Sequence, residues 1–350
     1  MTHLWVRAEQ RDNEERVGLS PEGAATLIEA GIKVTVEESQ SRCTPIQGYI
    51  NAGCNIAPAN TWPSAPLDAI IFGLKELPED GAPLPHKHIM FGHAFKGQPA
   101  GQRLLRRFIE GGGTLYDLEY LVDKTGYRVA AFGYWAGYAG AAVALKCWAA
   151  QQRGKMAEAV GTYPNAANLV ADLKNDLMNV QAMPSALVIG ALGRVGAGAS
   201  NLCAKMGITT TKWDIPETAS GGPFPEVLEH DIFFNCILAS PGTPVFVPKT
   251  AKMITRQLTV ICDIACDPDS NFSPIKVYDR TTNWNQPALR VHDDPPLDVT
   301  AIDNLPSMLP NESSLDYAEQ LLPSLLGLND LSSGVWGRAQ STYLKHTEKI

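Results

Sequence analysis

What the chain lacks narrows its class. Across 350 residues there is no run of about eighteen apolar residues, the length a helix needs to cross a bilayer. Positive charge is in deficit: 29 Lys and Arg stand against 37 Asp and Glu, giving a net charge of −8 and a pI near 5.4. A nucleic-acid binder carries a basic excess or stripe, so nucleic acid is not expected as a partner. The seven cysteines, at 43, 54, 147, 203, 236, 262 and 266, are odd in number and form no CxxC pair. They read as buried or half-buried free thiols rather than a disulfide frame, with a redox or metal role as the lesser alternative. No internal repeat and no low-complexity segment is present. Residues 1–7 lack an apolar signal core, and Glu348-Lys349-Ile350 is not a peroxisomal tripeptide. A cytoplasmic protein is the expectation.

What is present is a packed globular composition, 45% hydrophobic and 19% charged. At roughly 150 residues per domain the length suggests about two domains. Short apolar runs alternate with helical stretches, the pattern of βαβ units and parallel sheets. One set of strand-like runs covers residues 4–7, 32–37, 69–73, 89–93 and 114–116. A second covers 186–190, 209–213, 231–237 and 258–263. Between them, residues 134–152 form a helical stretch so rich in small residues (Ala139-Gly140-Ala141-Ala142) that close packing against a neighbour is expected. The first helix is well punctuated. Ser20 caps it, Pro21 suits its first turn and Gly31 closes it. Residues 315–326 look helical, with an interruption at Pro323. The expected fold is α/β, two Rossmann-like domains with a cleft between them, joined by long helices. Residues 1–134 with 315–350 form one domain and 135–314 the other.

The strongest local motif is the strand–turn–helix around Gly190-Ala-Leu-Gly193-Arg194-Val-Gly196. Its glycines suit a tight turn, close approach of the backbone to a pyrophosphate, and helix–strand packing, and the helix N-terminus offers free N–H groups to phosphates. The spacing departs from G-x-G-x-x-G, so the motif alone also fits a turn that binds nothing. The next strand-like run ends at Asp214, 214 − 196 = 18 positions beyond Gly196. An acid about 20 residues on accepts hydrogen bonds from adenosine ribose hydroxyls and repels a 2′-phosphate. With no Arg in Ile215-Pro216-Glu217, NAD is favoured over NADP.

Earlier in the chain three features bear on chemistry. Lys75 and Glu76 follow an apolar run, and strand carboxyl ends face the ligand crevice in open α/β sheets. A partly desolvated lysine there serves as a base, although on spacing alone a solvated strand-end lysine fits equally. His93 ends another apolar run and reads as either a buried, hydrogen-bonded histidine or an acid–base group. His86-x-His88 has no convergent third ligand at suitable spacing, so no metal is expected. Arg7, Glu9, Arg11, Glu14 and Arg16, with Glu119 and Arg128, suit either a charged surface or a site for an anion, since guanidinium forks bind carboxylates in bidentate fashion.

Taken in order, the motifs are Arg7-Ala-Glu9-Gln-Arg11-x-x-Glu14-x-Arg16, Gly73-Leu-Lys75-Glu76-Leu-Pro-Glu79, His93-Ala-Phe95-Lys96-Gly-Gln98 and Gly113-Thr-Leu-Tyr-Asp117-Leu-Glu119. They continue with Arg128-Val-Ala-Ala-Phe132-Gly, the glycine turn, Lys212-Trp-Asp214-Ile-x-Glu217-Thr218, Gly221-Gly-Pro-Phe, and Ile302-Asp303-Asn304-Leu305-Pro306. This series resembles the NAD-dependent, lysine-forming saccharopine dehydrogenases, over essentially the whole chain. Alanine dehydrogenase is a more distant relative in fold. The resemblance implies two Rossmann-like domains and the reversible conversion of saccharopine, NAD⁺ and water to L-lysine, 2-oxoglutarate and NADH. It implies Lys75 as the base for the secondary amine and His93 as the acid–base group for water, with Glu76 and Glu119 tuning them. It implies substrate contacts by Arg16, Gln98, Arg128 and Phe132. Cofactor contacts fall at Gly190, Gly193, Arg194, Gly196, Asp214, Thr218, Leu238, Ile302, Asp303 and Leu305.

The chain also departs from the family. Val195 stands where fungal members have a cysteine able to pair with one at the position of Cys236. Arg11 replaces a lysine, Ser220 lies where a basic residue is usual, and Leu238 where an aromatic one is. None touches Lys75 or His93. Two other readings remain: a reductive aminase joining another amine or ammonia to a 2-oxo acid, or a non-catalytic NAD-binding protein. A monomer or small homo-oligomer is expected.

Overall fold

The apolar N-terminal run forms β1 (His3–Val6) at the centre of a parallel sheet. The architecture comes from a computed structural model that describes residues 1–11, 13–348 and 350; Asp12 and Lys349, the latter part of the C-terminal tripeptide considered above, lie outside the described residues. Helix α1 (Pro21–Glu29) starts as its sequence dictates, Ser20 Oγ accepting the Gly23 N–H at 3.1 Å, and Gly31 follows its end at φ +82°. After it come β2 (Lys33–Glu37), α2 (Ile46–Asn51), β3 (Asn55–Ala57), β4 (Ile70–Phe72), β5 (Lys87–Met90), α3 (Pro99–Gly111) and β6 (Thr114–Asp117). The sheet order is β3-β2-β1-β4-β5-β6, every pair parallel. The order reverses between β1 and β4, and the loops leaving those two strands therefore flank the point where such sheets take ligands. On one face Ile71, Leu105, Phe108 and Leu115 pack in a common apolar cluster. Gly112, left-handed at φ +74°, ends α3.

The next helix, α4 (Gly133–Gln152), is buried along almost its whole length. Then follow α5 (Ala166–Asp176), β7 (Ala186–Ile189), α6 (Arg194–Lys205), β8 (Thr210–Trp213), the short α7 (Ile215–Thr218), β9 (Ile232–Asn235), β10 (Val260–Asp263), β11 (Leu289–Asp293) and β12 (Pro296–Thr300). This second sheet is ordered β11-β12-β10-β9-β7-β8, parallel except for the β11–β12 pair. Successive residues of its central strands enter opposite cores. Val188 and Phe234 pack with α4 and α6, whereas Leu187 and Phe233 pack with Phe246 and Val299. Burial on both faces is why these strands read as unbroken apolar runs. The small residues of α4 meet α6 at backbone distance: a Cβ on Gly137 would lie 2.9 Å from the Ala199 nitrogen, and one on Gly198 2.9 Å from the Tyr138 nitrogen.

The chain ends in α8 (Pro310–Leu325) and α9 (Gly334–Thr347). The expected interruption at Pro323 does not occur, and α8 runs on through it to Leu325. These helices rejoin the first sheet: Ser314 Oγ accepts the Val17 N–H at 2.9 Å, and the Tyr343 hydroxyl donates to Gly113 O at 3.2 Å. The chain accordingly divides into two compact units, Met1–Ala131 with Pro310–Ile350, and Phe132–Leu309. The seven cysteines are free thiols, of which Cys147, Cys203 and Cys262 are buried.

Candidate active site

In the first unit the chemistry gathers on the loops that follow β1, β4, β5 and β6. Glu9, just past β1, accepts the Leu74 N–H at 2.6 Å and the Lys75 N–H at 3.0 Å. Arg7 donates to the Lys75 carbonyl and lies 3.4 Å from Glu9. A Cβ on Gly73 would come within 2.5 Å of the Arg7 guanidinium carbon, so glycine there is what seats the arginine. Residues just past β1 thus fix the backbone that carries Lys75, at the sheet's reversal point. Arg16 and Glu14 are buried and form a fork, Nη2–Oε2 at 2.6 Å and Nε–Oε1 at 2.8 Å. Burial favours the neutral acid, yet the Arg16 guanidinium, with Lys75 nearby, holds the Glu14 carboxyl below its ordinary value. Arg7, Glu9, Glu14, Arg16, Arg42 and Gly73 line one small cavity. These charges are interior, not the surface face that their spacing also allowed.

His93 lies three residues beyond β5 rather than at its end, since the strand stops at Met90. It adopts φ +47° and stacks on Phe91 with ring centroids 6.4 Å apart. Its Nδ1 is 3.6 Å from Glu119 Oε2, and Lys96 Nζ and Arg128 Nη2 approach Glu119 Oε1 at 3.4 and 3.5 Å. His93, then Lys96 and Arg128, hold the Glu119 carboxyl down at about 2 against the opposing effect of burial. Asp117, the last residue of β6, is fully buried beneath this group, and its carboxyl is pushed up to about 6 by burial. Glu76 faces another way, 3.7 Å from Arg11, and is 60% exposed. Gln98 is exposed at the N-cap of α3. Lys96 and Asp117 lie inside motifs quoted above but carry no role there, and the Arg7–Glu9 clamp was visible only as a charge run. His88 stands apart, buried against Trp62 and Phe108. Among the described residues no three His, Cys, Asp or Glu converge as a metal site.

In the second unit the glycine turn joins β7 to α6. Gly190 has φ +86°, and a Cβ on it would lie 2.6 Å from Ile237 Cγ2. Gly193 caps α6, and a Cβ on Gly196 would lie 2.6 Å from the Ala191 Cα. The turn therefore keeps the bare backbone and open helix N-terminus, led by Arg194, that a pyrophosphate requires. Asp214 follows β8, which stops at Trp213; it accepts the Leu192 N–H at 3.0 Å and caps α7 in a reciprocal box with Glu217. The Thr218 hydroxyl donates to Asp214 O at 3.0 Å. Leu192, Ile215 and Leu238 are 84%, 78% and 70% exposed at the carboxyl ends of β7, β8 and β9, apolar side chains left uncovered. Sequence reasoning singled out only the last. Ile302 and Leu305 are buried on either side of the exposed Asp303, and Asn304 between them is left-handed at φ +70°. Phe132 opens α4 in this unit.

Comparison with known proteins adds to this geometry. The family model "Alanine dehydrogenase/PNT, N-terminal domain" matches residues 5–139. The chain is 43% identical to "Saccharopine dehydrogenase [NAD(+), L-lysine-forming]" of Schizosaccharomyces pombe, covering 99% of both proteins. The proteins of that name from Yarrowia lipolytica and Neurospora crassa are 43% and 44% identical, over 99% and 98% of this chain and 98% and 95% of theirs. Among solved structures, an L-alanine dehydrogenase superposes with a TM-score of 0.68 at 18% identity, covering 99% of this chain and 94% of that one. A transhydrogenase from Sinorhizobium meliloti gives 0.64 at 18% identity, covering 94% and 95%. These two likenesses concern the fold: mixed α/β with two parallel-dominated sheets.

Proposed function

The chain belongs to the family of NAD⁺-dependent, L-lysine-forming saccharopine dehydrogenases, and from that premise we propose that it catalyses the reversible reaction saccharopine + NAD⁺ + H₂O ⇌ L-lysine + 2-oxoglutarate + NADH + H⁺. The observation that carries the proposal is identity of 43% across 99% of both chains. We assign the substrate to residues 1–134 with 315–350, and NAD to residues 135–314. The fit of NAD to the second unit rests on the glycine cradle, where Gly190, Gly193 and Gly196 leave no side chain, and on the acid at Asp214. Gly190, Gly193, Arg194 and Gly196 would hold the pyrophosphate, Asp214 and Thr218 the adenosine side, and Leu238, Ile302, Asp303 and Leu305 the remainder. When bound, NAD⁺ accepts hydride from the carbon beside the substrate's secondary amine.

The chain's own groups supply the proton transfers. Lys75 takes the proton of the secondary amine, and the Glu9 and Arg7 contacts fix its backbone for that task. His93 then removes a proton from the water that attacks the imine carbon and returns it to nitrogen as the carbinolamine collapses. Glu119, ionised 3.6 Å from His93 Nδ1, faces the positive charge that the ring gains when it takes the water proton. Arg16 and Arg128 suit the substrate's carboxylates, Gln98 and Phe132 complete its contacts, and Glu76 adjusts the charge near Lys75. A cytoplasmic monomer or small homo-oligomer with no nucleic-acid or membrane partner is in keeping with the acidic balance, and no helix among the described residues is long and apolar enough to cross a membrane.

The test is NADH consumption with L-lysine plus 2-oxoglutarate, run beside pyruvate plus ammonia. Loss of NADH only with the first pair is the expected result. Consumption only with the second pair transfers the assignment to an alanine-dehydrogenase-like aminase. Cofactor binding without turnover on either pair, or on a wider amine screen, leaves a non-catalytic binder.

A further inference from the structure

We propose that Asp117 is a positioning residue for His93: its buried carboxylate braces the loop of His93 on one side and the turn of Glu119 on the other, and presents its charge to the imidazole. Asp117 ends β6 opposite Met90 of β5, the last strand residue before the His93 loop. Its Oδ1 accepts the Glu119 N–H at 2.9 Å and so caps the turn Leu118–Tyr120. Oδ2 lies against Gly92, whose backbone N–H favours the charged form, and a Cβ on that glycine would come within 3.2 Å of it. Gly92 precedes His93, whose left-handed backbone depends on that neighbour holding still. One carboxylate therefore touches the backbone carrying each member of the His93–Glu119 pair.

An amide would cap the turn as well as a carboxylate does. A fully buried carboxyl is costly, so a turn cap alone does not account for it. What a carboxylate adds is charge. The groups that face it are Glu119 and Tyr120 on its own turn, His93 on the β5 loop, and Tyr317 on α8, with Lys96 and Arg128 behind on Glu119. His93 is the group whose charged form an ionised Asp117 favours, and that attraction is reciprocal. Burial, with Glu119 adding to it, raises the Asp117 carboxyl towards neutrality.

The inference rests on His93 being the acid–base group of the proposed reaction. Asp117→Asn keeps the capping oxygen and the shape but removes the charge. The readouts are the imidazole titration of His93 by NMR, identified by the signal lost in His93→Asn, and the pH profile of kcat with L-lysine and 2-oxoglutarate. The expected result is a His93 midpoint lower by about half a unit or more, and a kcat limb displaced in the same direction with KM for NADH unchanged. An unmoved midpoint in folded Asp117→Asn overturns the proposal, whatever the activity. A moved midpoint with an unmoved kcat profile overturns the role of His93 in the reaction, and the positioning role with it. If Asp117→Asn fails to fold, carbon-13 titration of the Asp117 carboxyl in the unsubstituted enzyme decides the matter. Coupling gives a two-step curve whose upper step coincides with that of His93. A single step indifferent to His93 overturns the proposal.

Discussion

His88 gives the chain a stability that depends on pH in a calculable way. The ring is 1% exposed, with Trp62 and Phe108 edge-on at centroid distances of 5.1 and 5.3 Å. Neither ring nitrogen has a hydrogen-bond partner among the described residues. Burial first, then the nearby Arg7, His86 and Arg107, lowers its proton affinity well below the ordinary value of 6.5. The folded chain therefore keeps His88 neutral, while the unfolded chain protonates it near 6.5. Below that pH only the unfolded state gains the proton, so stability falls as pH falls, by up to about 1.4 kcal/mol per unit. Between pH 7.5 and 5.0 this one group removes about 2 kcal/mol. His88→Leu has similar volume and does not titrate. At pH 7.5 its stability should match the parent or exceed it by about 1 kcal/mol, because two unbonded polar atoms leave the core. Urea unfolding at both pH values, followed by tryptophan fluorescence, reads the difference in the transition that responds to the substitution. Asp117 runs the opposite way, its carboxyl at about 6 when folded against an ordinary 3.8, and it cancels in the comparison of variant with parent. If parent and His88→Leu lose equal stability between the two pH values, His88 is not held neutral and the reasoning is wrong.

Three further outcomes are expected. Lys75→Met should cut turnover by roughly 10²–10⁴ while NADH binding, measured by fluorescence, persists; near-native kcat removes Lys75 from the chemistry. Asp214→Ala should weaken NAD binding and relax the preference against NADP, and an unchanged ratio of kcat/KM for the two cofactors would show that Asp214 does not read the ribose. Gly73→Ala drives a Cβ to within 2.5 Å of the Arg7 guanidinium carbon. It should cost about 1–3 kcal/mol by overpacking, with a loss of turnover through the Lys75 loop; an unshifted melting temperature would mean that the loop yields freely.

Legibility in the sequence followed the range of the interaction. Both sheets announced themselves because two-sided burial turns whole strands apolar, as in β7 and β9. The helix starting after Ser20 and the turn at Gly190 are local events, and their residues say so. Strands β3, β11 and β12 were missed, β3 and β12 for local reasons too. β3 has only three residues, and β12 opens on Pro296, which occupies the first strand position, where its missing N–H is tolerated, and so looks like loop. Pro323 misled because α8 accommodates it. In the site, Lys75, His93 and Glu119 came from their motifs. The clamp of Glu9 on the Lys75 loop did not, because it depends on β1 and β4 becoming neighbours across 65 residues of chain. The interior placement of Glu14 and Arg16 was hidden for the same reason, since nothing in a charge run distinguishes a solvated face from a folded-in fork.

The first unit is written in two instalments, with the second unit between them. On a ribosome the β3-β2-β1-β4-β5-β6 sheet emerges early yet lacks α8 and α9 until the last forty or so residues are made. Until then Val17 has no Ser314 to bond and Gly113 no Tyr343. The second unit, continuous from Phe132 to Leu309, has its whole sequence out of the tunnel before the older sheet can be finished. Birth order and completion order are therefore reversed in this chain. A released polypeptide truncated after Leu309 should resist protease in its later-made half and be cut in its earlier-made one.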